Sequence, residues 1–308
     1  MNRPNKTLIA FLSLLLGLSA CGPVDFKGQD LALRHDVENN VLELNLTYHG
    51  VMASKSPEGS WGQGRTKELE LAVQTIRRMA AGDRYFMLLS SIFEIDLEKS
   101  VAELSATLIS PEPGQAQHYL DIVERFSIEP AQIYLDDKER IAVRQKIQIK
   151  GALESTLELN NAIQEGLLLW VSEGAKLQEE TDGLIDTPTA NAWIAEAKSG
   201  EPWIFWKDQT LVISVPMSPK TTANLIKAQV RAVAEETESK AKKNIANLIG
   251  TLSEVQVQDG RLILRIAPDE LGFLNLRFVE DDRKYLPGLA DSLKAKGFPL
   301  STTPSAGQ

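Results

Sequence analysis

The dipeptide Asp259-Gly260 constrains this chain more than any other local feature. A two-residue turn between antiparallel strands needs positive φ at its centre, and Asp-Gly supplies it with little strain. Such a turn opposes Val257 to Leu262 and Val255 to Leu264, placing four apolar side chains on one face of a hairpin. The same logic recurs upstream. Residues 31–50 alternate about a polar break at 36–40, with Leu42, Leu44, Leu46 and Tyr48 on one face. Residues 129–149 alternate about Asp136-Asp137-Lys138-Glu139, and 203–215 about Lys207-Asp208-Gln209-Thr210. The segment 84–97 adds strand, with Ile92, Phe93 and Ile95 apolar.

Helical periods lie between these hairpins. Leu69, Ala72, Val73, Ile76 and Met79 form one stripe, closed by Gly82. A second helix is expected from about Leu153 to Gly174, and a short one opens at Thr187-Pro188 and stops at Gly200. A long helix opens at Ser218-Pro219, with Ile226, Val230, Val233, Ala241, Ile245, Leu248 and Leu252 on its stripe. Hairpins that lead into helices predict an α+β fold, with antiparallel sheet and packed amphipathic helices. The acidic, glycine-containing stretch 179–186 is the expected internal boundary, giving α+β regions at 31–180 and 187–298 and a disordered tail at 299–308. Glu129-Pro130 and Glu201-Pro202 each precede a hairpin and a helix, which leaves two related halves open.

The N-terminus belongs to none of this. Arg3 and Lys6 precede the apolar run from Leu8 to Leu16, which is shorter than the roughly 20 residues that span a bilayer. Leu18-Ser19-Ala20-Cys21 follows: an aliphatic residue, two small residues and a cysteine. This resembles the lipobox of bacterial lipoprotein precursors, over residues 1–21 alone. Small side chains let a peptidase approach the backbone, and a thiolate is the nucleophile that a lipid donor can alkylate. The resemblance implies a signal peptide at 1–20, lipidation of Cys21 by two or three acyl chains, and a lipidated tether at 21–30. It also implies residence in the cell envelope. Gly22, where an aspartate tends to retain such proteins in the inner membrane, implies the periplasmic face of the outer membrane if the source has two membranes. Cys21 is the only cysteine, so no disulfide can form within the chain.

Charge narrows the partners. The chain carries a formal net charge of −9, and loses Arg3 and Lys6 with the signal. An acidic body does not suit nucleic acid or wide contact with anionic headgroups, both of which call for basic patches. The expected membrane contact is the lipid on Cys21. A hydrophobic content of 43% is enough to build a core.

Templates for chemistry fail in turn. Gly59-Ser60-Trp61-Gly62-Gln63-Gly64-Arg65-Thr66 resembles a nucleotide-binding P-loop, but Arg65 replaces the lysine and the preceding strand ends near Gly50, too early. A glycine-rich loop is expected instead. His35, His49 and His118 lack metal-ligand spacing and read as solvent-facing or singly hydrogen-bonded. The pairs Asp136-Asp137, Glu179-Glu180 and Asp281-Asp282 read as solvated turns, since acid/base hydrolysis needs separated carboxylates in different environments. No catalytic residue, metal site or cofactor is assigned.

Aromatic residues are the anomaly. Trp170, Trp193, Trp203 and Trp206 crowd together, with Phe205 between the last two. Alternation puts Trp203 and Phe205 on one sheet face and Ile204 and Trp206 on the other. Trp203, Phe205 and Trp206 are thus a candidate surface for a glycan or protein, with burial under neighbouring helices as the competing reading. Three functions stay open: a non-catalytic envelope lipoprotein that binds a protein, glycan or lipid partner; a lipid carrier or envelope chaperone with an apolar cavity; and a hydrolase whose carboxylates only the fold brings together.

Overall fold

The computed structural model describes residues 23–55, 64–88, 93–107, 113–152, 160, 191–192, 194–195, 202–216, 256–258, 261–267, 272–277, 285–298 and 300–301. Several expectations lie outside these residues: the signal and Cys21, the loop residues 59–63, Trp170 and Trp193, the boundary at 179–186, and most of the helix from Leu153. The same holds for the long helix from Ser218, Asp259-Gly260 itself, the pair Asp281-Asp282, and most of the tail.

The fold is α+β with antiparallel sheets. β1 (Val24–Asp36) and β2 (Val41–Ser54) form a hairpin about the 37–40 turn, where Asn40 N–H donates to Val37 O and Asn40 takes φ 51°. α1 (Gly64–Ala81) follows, then the pair β3 (Tyr85–Leu88) and β4 (Phe93–Asp96). Next come α2 (Leu97–Thr107), α3 (Pro113–Glu124), β5 (Phe126–Ile128), β6 (Gln132–Leu135) and β7 (Ile141–Lys150). The later elements are β8 (Ile204–Lys207), β9 (Thr210–Pro216), β10 (Gln256–Gln258), β11 (Arg261–Ile266), β12 (Gly272–Arg277), β13 (Tyr285–Leu286) and α4 (Leu289–Ala295).

Seven strands make the large sheet, in the order β12-β1-β2-β7-β5, with β13 also paired to β2 and β6 to β7. A second sheet runs β10-β11-β9-β8. Its first pair opposes Val257 to Leu262 and closes with Gln258 opposite Arg261, the register that a two-residue connection demands. The 207–210 hairpin closes the same way, with Lys207 opposite Thr210 and both central residues at positive φ.

Compact units are interleaved in sequence where consecutive regions at 31–180 and 187–298 are expected. One unit comprises Met1–Leu33, Leu42–Lys150 and Asn275–Gln308, and the other Arg34–Val41 and Gly151–Leu274. Strand pairing is the cause: β13 near the C-terminus pairs with β2 near the N-terminus, Tyr285 opposite Ser54 and Leu286 opposite Ala53. The expected tether at 21–30 is corrected likewise, because β1 starts at Val24. Val24 and Phe26 are buried while Asp25 and Lys27 are half-buried, the alternation of a strand.

In the first unit one face of the large sheet makes the core. Phe26, Leu46, Tyr48, Val143, Ile147 and Ile149 are all buried there. α1 contributes Ala72, Val73, Ile76 and Met79, the expected stripe. Gly82 ends it at φ 80°, a conformation few residues but glycine adopt, and a Cβ there would stand 3.1 Å from Pro130 N. The carbonyl of Met79, near the helix end, accepts from Gly82 N–H at 3.1 Å and from Ala131 N–H at 2.8 Å. α2 and α3, not anticipated, have ordinary starts. Asp96 Oδ1 accepts from Lys99 N–H at 3.0 Å as an N-cap, and Pro113 occupies the first position of α3.

Polar groups fasten the β3-β4 pair to this core. Gln29 Nε2 donates to Met87 O at 2.8 Å, and Gln145 Nε2 to Tyr85 O at 2.7 Å, both buried. Arg78 of α1 lies 4.8 Å over the Tyr85 ring and donates to Asp96 at 2.9 Å. Burial alone would lower the Arg78 pKa, but its bonds to Asp96 and Asp83 raise it instead.

Candidate functional site

The other face of the large sheet carries the polar residues. Along β2, Leu46 and Tyr48 are buried while Thr47 and His49 are half-buried. Along β7, Val143, Gln145, Ile147 and Ile149 are buried, whereas Arg144 and Lys150 are exposed and Lys146 and Gln148 half-buried. Alternation therefore sorts one side into core and the other into a surface of donors, acceptors and charges.

A short polar contact on that surface joins neighbouring strands: His49 Nε2 lies 2.6 Å from Asp30 Oδ2, with side chains 28% and 23% exposed. A carboxylate oxygen accepts, so Nε2 is the donor in this contact. Nearby, Lys146 Nζ bridges Glu43 at 3.3 Å and Glu129 at 3.4 Å, and Gln148 Nε2 donates to Glu43 at 3.4 Å. Tyr134 sits across β6 from Ala142 and is half-buried. Burial raises its phenol pKa, the Arg144 charge opposes that, and the Asp136 and Asp30 charges add to it. Asp30, His49, Tyr134 and Arg144 thus combine an anion, an imidazole, a phenol and a cation on one sheet. Such a set can orient a polar ligand through directed hydrogen bonds. Among the described residues no group of three or more His, Cys, Asp or Glu is placed to hold a metal ion.

The aromatic residues singled out from sequence lie in the second unit. Trp203 is 2% exposed, so it fills the interior rather than a surface. The backbone N–H of Trp203 donates to Asn160 Oδ1 at 2.7 Å, and that of Ile204 to the same oxygen at 2.9 Å. Phe205 and Trp206 are half-buried, opposite Val212 and Leu211. The Trp206 ring packs 4.3 Å from the imidazole of His35, which is 1% exposed; of the two expected readings, solvent-facing or singly hydrogen-bonded, burial removes the first. The last residues of β1 supply His35 to this unit, a placement only tertiary structure reveals.

Other sequence candidates resolve plainly. Gly64, Arg65 and Thr66 of the P-loop-like run form the exposed start of α1, and Arg65 Nη2 donates to Pro287 O at 3.3 Å. Asp136 caps its turn, accepting from Lys138 N–H at 2.9 Å and from Arg140 N–H at 2.8 Å. His118 lies in α3, with its side chain outside the described residues. The Asp30–His49 pair was missed from sequence because the two residues lie 19 apart. Its signal was available: both are polar positions in alternating strands of one hairpin. No protein-family model matches the chain, nor does any curated protein or solved structure.

Proposed function

We propose that the chain is a lipid-anchored protein of the bacterial cell envelope whose α+β body binds a partner through the polar face of its large sheet. The observation that carries the anchor is the N-terminal series: Arg3 and Lys6, the apolar run Leu8 to Leu16, and Leu18-Ser19-Ala20-Cys21. Two or more acyl chains on one cysteine give stable attachment, where a single chain is marginal. Gly22 favours the periplasmic face of the outer membrane in a source with two membranes.

Support for binding comes from Asp30, His49, Tyr134 and Arg144. Their groups vary in charge and donor pattern over a short stretch of sheet, which suits a partner rich in hydroxyl or amide groups, such as a glycan or peptide. Phe205 and Trp206 keep partial exposure and are a second, smaller candidate surface.

A photo-crosslinking residue in place of Arg144, in intact cells, tests this function. Capture of one partner that falls on replacing Asp30 and His49 with alanine supports it. Crosslinks indifferent to those replacements, or a wild-type chain that takes up no labelled fatty acid, would overturn it.

A further inference from the structure

We infer that the anchor holds the large sheet end-on against the bilayer, so that the end built by Pro23, Ser54, Lys55 and Tyr285 meets lipid headgroups. This rests on lipidation of Cys21. Three peptide steps separate Cys21 from Val24, where β1 begins. Fully extended, they span at most about 10 Å. The interfacial layer outside the hydrocarbon core is itself roughly 5–7 Å thick on each side. A sheet that starts within about 10 Å of a cysteine seated at the base of that layer clears it by only about 3–5 Å. The tether at 21–30 expected from sequence would instead have reached some 30 Å and left the body free.

The residues at this end suit such a place. Ser54 N–H donates to Pro23 O at 2.9 Å, so the last residue of β2 lies beside the first turn of chain after the anchor. Tyr285 pairs with Ser54, is half-buried, and donates its hydroxyl to Asp25 at 3.1 Å. Tyrosine, with an apolar ring and a polar tip, favours the headgroup level. Lys55 is exposed and can extend its amine to phosphate while its stem lies on lipid.

Tilting flat is opposed by charge. A body of net negative charge is repelled by an anionic leaflet. The 13 residues of β1 rise about 43 Å. The 37–40 turn, with Val37 and Glu38 exposed, is therefore the distal pole of the hairpin.

Two single-cysteine reporters decide the matter. Acylation occupies Cys21, the only native cysteine, so Lys55→Cys and Glu38→Cys each give one labelling site in the full-length processed protein. Each is labelled with a fluorophore and reconstituted in vesicles of phosphatidylethanolamine and phosphatidylglycerol that carry a nitroxide on the headgroup. Quenching should be several-fold stronger at 55 than at 38. A Gly/Ser spacer of about 20 residues inserted between Gly22 and Pro23, with an r.m.s. span of about 25 Å, should bring the two towards parity. Equal quenching at both sites in the unspaced, fatty-acid-labelled protein overturns the orientation and leaves the anchor standing. Failure to incorporate labelled fatty acid removes the anchor and this inference together.

Discussion

The phenol oxygen of Tyr48 lies 3.2 Å from both the amide nitrogen and the carbonyl oxygen of Met87. A side chain of the large sheet thereby stands in for a missing strand beside β3. Met87 O already accepts from Gln29, so the single hydroxyl proton is best used by Gln145 Oε1 at 3.1 Å, while Met87 N–H donates to the phenol.

Replacing Tyr48 with phenylalanine keeps the ring against Phe26, whose centroid is 5.0 Å away, but strips a partner from two buried groups. A loss of about 1–3 kcal/mol is expected in urea unfolding, since unsatisfied buried groups cost more than a typical bond contributes. Tyr285→Phe, which loses one half-buried bond to Asp25, is the control and should cost about 1 kcal/mol or less. Equal losses in the two variants would contradict this account of Met87. Burial also holds the Tyr48 phenol well above its ordinary 10.0. With the folded value raised, its contribution is full below pH 10.0 and declines as pH rises beyond that, because only the unfolded chain ionises. Tyr48→Phe should therefore show a flatter alkaline limb than wild type.

An acid limb is expected from Asp136. Burial pushes its carboxyl up, but the Arg140 side chain and the N–H groups of Arg140 and Lys138 together outweigh that and hold it below its ordinary 3.8. Its contribution is present above pH 3.8 and lost as pH falls from there through the lower folded value. The Asp136→Asn variant should lose less stability than wild type across that window, by about 1 kcal/mol or less because the turn is solvated. Parallel pH profiles would reject the assignment.

At the 207–210 turn, Asp208 and Gln209 have φ 50° and 62°, the two left-handed centres of a tight hairpin. A non-glycine residue there costs about 1–2 kcal/mol, offset in part by the greater freedom that glycine has when unfolded. Gln209→Gly is expected to gain about 0.5–1 kcal/mol, read as a rise in the melting temperature of the full chain. A fall would show that the Gln209 side chain makes a contact worth more than the strain.

For the anchor, Cys21→Ser should incorporate no labelled fatty acid and accumulate with its leader uncut. A Cys21→Ala body behind an ordinary cleavable signal should be released to the soluble fraction. Each acyl CH₂ contributes about 0.8 kcal/mol of membrane affinity, and a body of net negative charge does not compensate on anionic lipid. Retention of the alanine body on membranes after a high-salt wash would contradict this.

Much of the fold is legible where local chemistry alone decides it. The α1 stripe ends at Gly82 because 3.6-residue periodicity and a left-handed stop are both local. The turns at 36–40, 136–139 and 207–210 read correctly for the same reason. β1 was hidden by a slip of phase: Val24 and Phe26 alternate with Asp25 and Lys27, but Gly28 and Gln29 are both buried. A polar Gln29 looks like tether until Met87 O, 58 residues away, is seen to need its amide. The Asp30–His49 contact and the burial of His35 against Trp206 depend on strand pairing and on packing across distant sequence, which no window of residues contains. Trp203 illustrates the reverse, because large aromatic side chains default to the interior.

The bond from Tyr285 to Asp25 spans 260 residues of chain. Ribosomal synthesis at about 5–20 residues per second places those two groups some 13–52 s apart in appearance. The first strand must therefore wait, its neighbour β12 and its side-chain partner Tyr285 on β13 still unmade, while nearly the whole polypeptide emerges. Under the proposed envelope location that delay is an asset, because the large sheet cannot close until its last strands have been made.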